Sequence, residues 1–350
     1  MYNLEPLLER AYQTQLFTAP RIETDLAAFL DRETDRVRGL ARQAVTRGTK
    51  HVFFVGSGNS WANMLTGKWL LDRYTALTSD ALMSYDLTWR QPSRLDEHAL
   101  VFATSYSGAT EDTLAAARFA KARGARVVAI VRTADSPIGR VADEVIAYEN
   151  TALWEMPLAV VTIFAAELAL AAGRTDAHEL IDGLRALPPL LGRLSREAKD
   201  SALPLAEQYL NSQLIYTVGA GPLFGLAYKY GLTVFMENIR THGSFIESAE
   251  FRHGPAEMME RQRPDFVFVM GRDESRALTE RSLNTVREHG GRALVFDAAP
   301  YPEVHPELAP FVLQQPLQWF AVYSALLRGI TDLDARVLMG RRKLSSTIWP

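Results

Sequence analysis

Short apolar runs alternate with amphipathic stretches along most of the chain. The runs at 51–55 (HVFFV), 81–86, 98–106, 126–132 and 144–150 are largely apolar and bounded by polar residues and Gly. That is the signature of strands buried on both faces. Helical spacing fills the gaps, from Trp61 onward and from Gly108 through Lys121, and 153–172 is apolar on nearly every side, as a core helix would be. Strands and helices in alternation predict an α/β domain over 47–173, a parallel sheet wound on both faces.

The same grammar then returns. A polar, Leu-spaced connector at 174–206, which Pro188 and Pro189 are expected to break, leads to LIYTVG (214–219). A helix across 222–240 follows, with strands at 266–271, 292–297 and 311–316 and helices at 276–289 and 317–329. Both series open on strand–GxG–helix, GSG at 56–58 and GAG at 219–221. Two tandem doubly wound, flavodoxin-like αβα domains are therefore expected, the second over 207–330. Residues 1–46 read as a helical lead-in packed on the first domain or on a partner subunit, and 331–350 as a basic, hydroxyl-rich tail.

A chain of 350 residues accommodates two such domains, and its 47% hydrophobic residues supply their cores. A formal charge of −3 argues against a broad nucleic-acid-binding face, so any anion must be met by local groups. The absence of Cys removes disulfides, thiolate nucleophiles and Cys-ligated metals, and fits the cytoplasm. The opening MYNLEPLLERAY lacks the basic start and apolar centre of a signal peptide. The most apolar run, 158–173, is interrupted by Glu167 and is short for a bilayer. A soluble cytoplasmic protein with no membrane partner is expected.

In doubly wound sheets, ligands sit at the carboxyl ends of strands, where helix N-termini point. Two such ends carry small hydroxyls: Ser57, Asn59 and Ser60 after 51–55, and Thr104, Ser105, Ser107 and Thr110 after HALVFA (98–103). With Gly108 and the free N–H groups of the next helix, they would form a nest for a phosphate monoester. The plainer alternative is that Thr110 caps its helix and the serines close a turn. Two such loops at neighbouring strand ends favour phosphate. Neither GxG is a dinucleotide fingerprint, because Trp61 and Phe224 stand where GxGxxG needs its third Gly. His242 and His253 are eleven apart, without HxH, HxxxH or HExxH spacing, so no metal is expected.

Acid–base groups concentrate in 237–255 (ENIRTHGSFIESAEFRHGP): Glu237, His242, Glu247, Glu250 and His253. A carboxylate base with an imidazole acid is what proton transfer between adjacent sugar carbons requires. On spacing alone, Glu237 reads equally as a solvated residue near a helix end, and His253 as a turn residue before Gly254-Pro255.

These residues resemble a family. Ser105-Tyr106-Ser107-Gly108-Ala109-Thr110 (SxSGxT), Glu237 and EFRHGP (250–255) are similar to the sugar-isomerase-domain proteins, two domains in tandem, as in the isomerase half of glucosamine-6-phosphate synthase. Glu237 and His253 stand sixteen apart, as the family's glutamate and HGP histidine do. EFRHGPAEM, GRDESRALTER (271–281) and RVLMGR (336–341) look closest to the fructosamine-6-phosphate deglycases. The chain departs from the synthase: it has no Cys to release ammonia from glutamine, and Gly340 falls at the synthase's late lysine.

The resemblance implies that Ser60, Ser105, Ser107, Thr110 and the Tyr106 N–H hold a sugar 6-phosphate, with further contacts from Ser57, Gly58, Glu250 and Arg341. It implies His253 for ring opening and Glu237 for abstraction of the C1 proton, strengthened as a base by a partly apolar surround of Phe235, Met236 and Ile239. The implied product is glucose 6-phosphate plus an amine, formed through an enaminol without a cofactor. It also implies a homodimer with the site at the subunit interface, closed over by the tail 331–350. Glu250 is expected to brace its loop and Glu247 to be an exposed strand carboxylate. An aldose–ketose isomerase or aminosugar-phosphate deaminase using the same pair is the first alternative. A non-catalytic phosphosugar sensor is the second.

Overall fold

The computed structural model describes residues 4–14 and 17–335. Helices α1 (Glu5–Tyr12) and α2 (Ile22–Thr46) open the chain. Then come β1 (His51–Gly56), α3 (Asn59–Tyr74), β2 (Thr78–Met83), α4 (Ser84–Arg90), β3 (Ala99–Ser105), α5 (Glu111–Ala122), β4 (Arg126–Val131), α6 (Pro137–Val141), β5 (Glu144–Ala147) and α7 (Glu155–Ala171). The five strands are all parallel, in the order β2-β1-β3-β4-β5. This is the flavodoxin-type order, with its switch point between β1 and β3. β1 and β3 are buried along their whole length, as their unbroken apolar sequence requires. α7 is buried from Glu155 through Ala169. The Glu167 that interrupts its apolar run accepts from Arg38 (2.9 Å) and Arg42 (2.8 Å) of α2.

After α8 (His178–Gln208), a second series holds β6 (Leu214–Gly219), α9 (Phe224–Tyr228), β7 (His242–Glu247), β8 (Asp265–Met270), α10 (Arg276–Glu288), β9 (Ala293–Asp297) and α11 (Ala309–Leu327). Its four parallel strands run β7-β6-β8-β9, the first four positions of the same order. The described chain divides into two compact units, 24–185 and 4–23 with 186–335. The lead-in is thus not one piece. Residues 18 and 19 donate to Gln318 of α11, and Phe17 packs edge-on to Trp319 at 4.8 Å. The remainder of α2 belongs to the amino-terminal unit, where Arg32 donates to the Ala147 carbonyl at 2.9 Å.

Four expectations are corrected. Pro188 and Pro189 do not break the connector, because α8 runs through them. Leu180, Leu184, Leu187, Leu191 and Leu194 are buried on either side, and packing of that face outweighs the lost backbone bonds. Residues 311–316 are not a strand but part of α11, which is buried on nearly every side. A short apolar run does not distinguish the two, and Leu and Gln extend it as helix. The strand expected at 81–86 lies earlier, and Ser84 begins α4. Finally, the helix at 222–240 is ordinary α-helix only to Tyr228, and Lys229–Ile239 is π-helix.

The wide π-turns lie where helix and strand meet backbone to backbone. A Cβ on Gly231 would stand 2.2 Å from the Ser244 carbonyl oxygen, and one on Gly243 would stand 2.1 Å from the Gly231 carbonyl oxygen. Only glycine fits at either position. Among the described residues, no helix is long and apolar enough to cross a membrane.

Gly231→Ala should therefore destabilise the protein by about 1–3 kcal/mol through overpacking, lowering Tm by several degrees in a thermal melt. Gly39→Ala, in α2 with nothing within 4 Å of the new methyl, should leave Tm unchanged or raise it. Equal melts for the two variants would contradict the close approach.

Candidate active site

The loop after β3 is built from its own hydroxyls. Ser105 is buried at the strand end, and its Oγ lies 2.6 Å from Thr110 Oγ1 and accepts from the Gly108 N–H at 3.1 Å. Ser107 Oγ accepts from the Ala109 N–H at 3.2 Å and lies 3.4 Å from both Ser105 Oγ and Thr110 Oγ1. Gly108 takes φ +63°, and a Cβ there would strike the Ser136 side chain at 2.4 Å. Thr110 is the N-cap residue of α5 but makes no side-chain cap; its hydroxyl turns to the serines instead. That removes Thr110 as a side-chain cap, while the two serines do close the turn through the Gly108 and Ala109 N–H groups. Three hydroxyls converge at the start of a helix, at the switch point of a parallel sheet, where an anion is favoured.

The β1 loop divides its residues. Gly58 takes φ +56° and precedes α3, whose first turn carries Ser60, partly exposed. Ser57 is otherwise engaged: its Oγ donates to Asp112 Oδ2 of α5 at 2.5 Å and lies 3.3 Å from Ser84 Oγ, tying the two loops together. Tyr106 is partly buried, with the Arg132 guanidinium 5.2 Å from its ring centre. Arg132 Nε is buried without a hydrogen-bond partner among the described residues. Sequence reasoning overlooked this cation beside the loop. Its signal was an Arg closing the apolar strand VVAIV, at the ligand-facing edge.

In the carboxy-terminal unit, Glu237 lies on the π-helix, exposed near its end. Phe235 and Ile239 are buried, while Met236 beside it is 41% exposed. The apolar surround expected for Glu237 is therefore not formed by these neighbours: Phe235 and Ile239 point into the core, and Met236 stands out toward solvent. Tyr228 is the residue overlooked here: burial first, and then the Glu237 carboxylate, push its phenol above the usual range. Tyr228 packs edge-on to Phe245 of β7 at 4.7 Å.

His253 follows β7 on a short turn and is exposed. Its N–H donates to the Glu250 carbonyl at 2.9 Å, so Glu250 closes the turn through its backbone while its side chain stays exposed. Arg252 Nε donates to His253 Nε2 at 3.1 Å, which leaves Nδ1 as the proton-bearing nitrogen of the neutral ring. Glu247 accepts from the Ala249 N–H at 2.6 Å and secures the same turn. Phe245 faces the α9 side, whereas Ile246 packs with Phe251 in the core on the other side. Glu237 and His253 are thus carried on opposite faces of the sheet, with the edge strand β7 separating their elements. Arg341 and most of the expected tail lie outside the described residues.

The SIS-domain family profile matches residues 47–165. Fructoselysine 6-phosphate deglycase of Escherichia coli is 34% identical over 85% of this chain and 88% of its own. Fructosamine deglycase FrlB of Bacillus subtilis is 32% identical, over 77% of this chain and 86% of its own. The chain belongs to this SIS-domain family of deglycases. A solved structure from Bacillus subtilis, described as a phosphosugar isomerase, shares the fold with a TM-score of 0.81 at 29% identity, covering 91% of this chain and 99% of that one. The tandem α/β architecture of the SIS-domain proteins is the one seen here, a five-stranded and a four-stranded parallel sheet.

For this SIS-domain chain, Ser105→Ala should weaken glucose 6-phosphate binding about tenfold or more by calorimetric titration, since it removes a hydroxyl and leaves Thr110 and the Gly108 N–H without their partner. Unchanged affinity would remove the loop from the binding site.

Proposed function

We propose that the protein is a deglycase that cleaves a fructosamine 6-phosphate to glucose 6-phosphate and a free amine. The observation that carries this reading is the 34% identity to fructoselysine 6-phosphate deglycase across 88% of that enzyme's length. The loop of Ser105, Ser107 and Thr110, with Ser60 and the Tyr106 N–H, holds the 6-phosphate and fixes the register of the sugar carbons. Gly58 gives the β1 loop its turn, and Ser57 braces it from Asp112.

His253 moves the proton that opens the ketosamine ring. Glu237 takes a proton from C1, acidified by the neighbouring carbonyl or iminium carbon, and the C1–H electron pair forms the C1–C2 double bond of an enaminol. Protonation at C2 leaves a C1–N imine. Water adds to C1, the C1–N bond breaks, and the amine departs with a proton, leaving the aldehyde of glucose 6-phosphate. Each step is a proton transfer or a hydrolysis, driven by positioning and general acid–base catalysis, so no redox group is called for.

Two further points belong to this reading. Glu237 and His253 arise from opposite faces of one sheet, which supports a homodimer in which a site takes its histidine from the partner subunit. The substrate is a charged phosphate ester that does not cross a bilayer unaided, which supports a cytoplasmic setting.

Supplied with fructoselysine 6-phosphate and fructose-asparagine 6-phosphate in a coupled assay, the protein should release glucose 6-phosphate from at least one. Glu237→Gln should lower kcat by about 10²–10⁴-fold with KM little changed. Silence with both adducts alongside rapid turnover of fructose 6-phosphate or glucosamine 6-phosphate would overturn the deglycase in favour of an isomerase or a deaminase. Near-normal turnover by Glu237→Gln would overturn the base.

A further inference from the structure

A cavity of about 480 Å³ opens in the carboxy-terminal unit at the amino edge of its sheet. Ser212 before β6, Thr241 and His242 at the start of β7, and Arg328 just past α11 form its polar wall, and Met236 and Arg240 form the side nearest the π-helix. The last two lie on either side of Glu237 in the sequence, so the cavity opens at the helix end that carries the proposed base. Two guanidiniums and an imidazole line it.

The Arg328 guanidinium is half-buried, and that burial pulls its pKa below the ordinary value. It donates only to carbonyls: Ser324 at 3.2 Å, Tyr209 at 3.0 Å and Ser212 at 3.4 Å. Arg240, held at φ +55°, donates to the Ala335 carbonyl at 3.3 Å. Among the described residues, neither has a carboxylate partner. For the half-buried Arg328, a partly desolvated cation without a counter-charge is costly, and carbonyl dipoles offset only part of that cost; Arg240 is exposed. Elsewhere in this unit, Arg276 clasps Asp297 at 2.7 and 2.9 Å and Arg292 meets Asp265 at 2.6 and 2.7 Å, whereas Arg272 donates to the Tyr301 and Val304 carbonyls at 2.9 and 2.8 Å. Arg328 and Arg240, without an acid, line the same cavity.

We propose that this cavity binds the carboxylate of the amino acid carried by the substrate, with Arg328 and Arg240 as its counter-charges and the exposed Met236 thioether against its aliphatic part. The assignment rests on the deglycase reading for its role but not for its chemistry. An Arg presents a planar fork matched to a carboxylate. The volume exceeds what an inorganic anion needs and suits an amino-acid body. A substrate whose leaving nitrogen lies at Glu237 then has its amino-acid portion directed between residues 236 and 240, and the pair selects amino-acid adducts over those of simple amines.

Two measurements decide it. Calorimetric titration of the wild-type protein with free lysine and free asparagine should detect binding of at least one, with lysinamide binding at least about tenfold more weakly than lysine. Arg328→Gln should lose that binding by a similar factor, about 1.4 kcal/mol per tenfold. Arg240→Gln, at an exposed position, provides the same readout should Arg328→Gln fail to fold. No binding of either amino acid, or equal binding of lysinamide, overturns the site whatever the enzyme turns over. In the second measurement, the ratio of kcat/KM for fructoselysine 6-phosphate to that for the fructose 6-phosphate adduct of butylamine should fall about tenfold in either variant. An unchanged ratio overturns the site. A wild-type enzyme that cleaves neither adduct sinks the deglycase reading, while the titration still decides the cavity.

Discussion

Two peptide backbones in contact hold the candidate base in place. Gly231 of the π-helix and the Gly243–Ser244 step of β7 approach so closely that neither glycine has room for a methyl group. The approach brings Tyr228 onto Phe245, and it carries the helix end with Glu237 past the start of the edge strand. A π-helix is rare because its hydrogen-bond geometry is poor, and its occurrence at a functional position is a known tendency. Here the strand contact, the buried Phe235 and Ile239 and the Asn238 bond to the Leu333 carbonyl at 2.8 Å hold it. Glu237 is left on the exposed side, where a substrate can reach it.

The two units use the same fold differently. In the amino-terminal unit, the switch point carries hydroxyls and a positive-φ glycine, an arrangement suited to a phosphate that must be held but not transformed. In the carboxy-terminal unit, the corresponding strand ends carry Gly219, Gly221 and the buried Asp273, whose Oδ1 accepts from the Ser275 N–H at 2.9 Å. A carboxylate fills the crevice where the other unit has room for an anion. On the proposed reading, the hydroxyl loop of one copy serves the phosphate and the other copy carries Glu237, His253 and a cationic cavity, which separates binding from chemistry.

Much of this was legible in the sequence, for physical reasons. HVFFV and LVFAT are apolar but for a terminal His51 and Thr104 because both faces of a parallel sheet are covered, so strand alternation and fold class could be read directly. SxSGxT was legible as a loop because its glycine and hydroxyls have few other uses at a strand end. What failed depended on tertiary context. Pro188-Pro189 lies inside a helix held by its leucine face, and FVLQQP is helix because its burial continues for three more turns. Tyr228, Arg132 and Arg328 were overlooked for a related reason. A lone Tyr or Arg has no spacing to announce it, and only burial without a matching partner, or nearness to Glu237, brings it out.

The central claim is that Glu237 and His253 act as one acid–base pair, each site drawing them from two copies of the chain. Mixing inactive Glu237→Gln and His253→Ala proteins, with subunit exchange by mild denaturation and refolding, tests it most directly. Shared sites predict that hybrid dimers regain one intact site each, so that an equimolar mixture recovers about a quarter of wild-type activity. A fully exchanged mixture that stayed inactive would contradict the shared site.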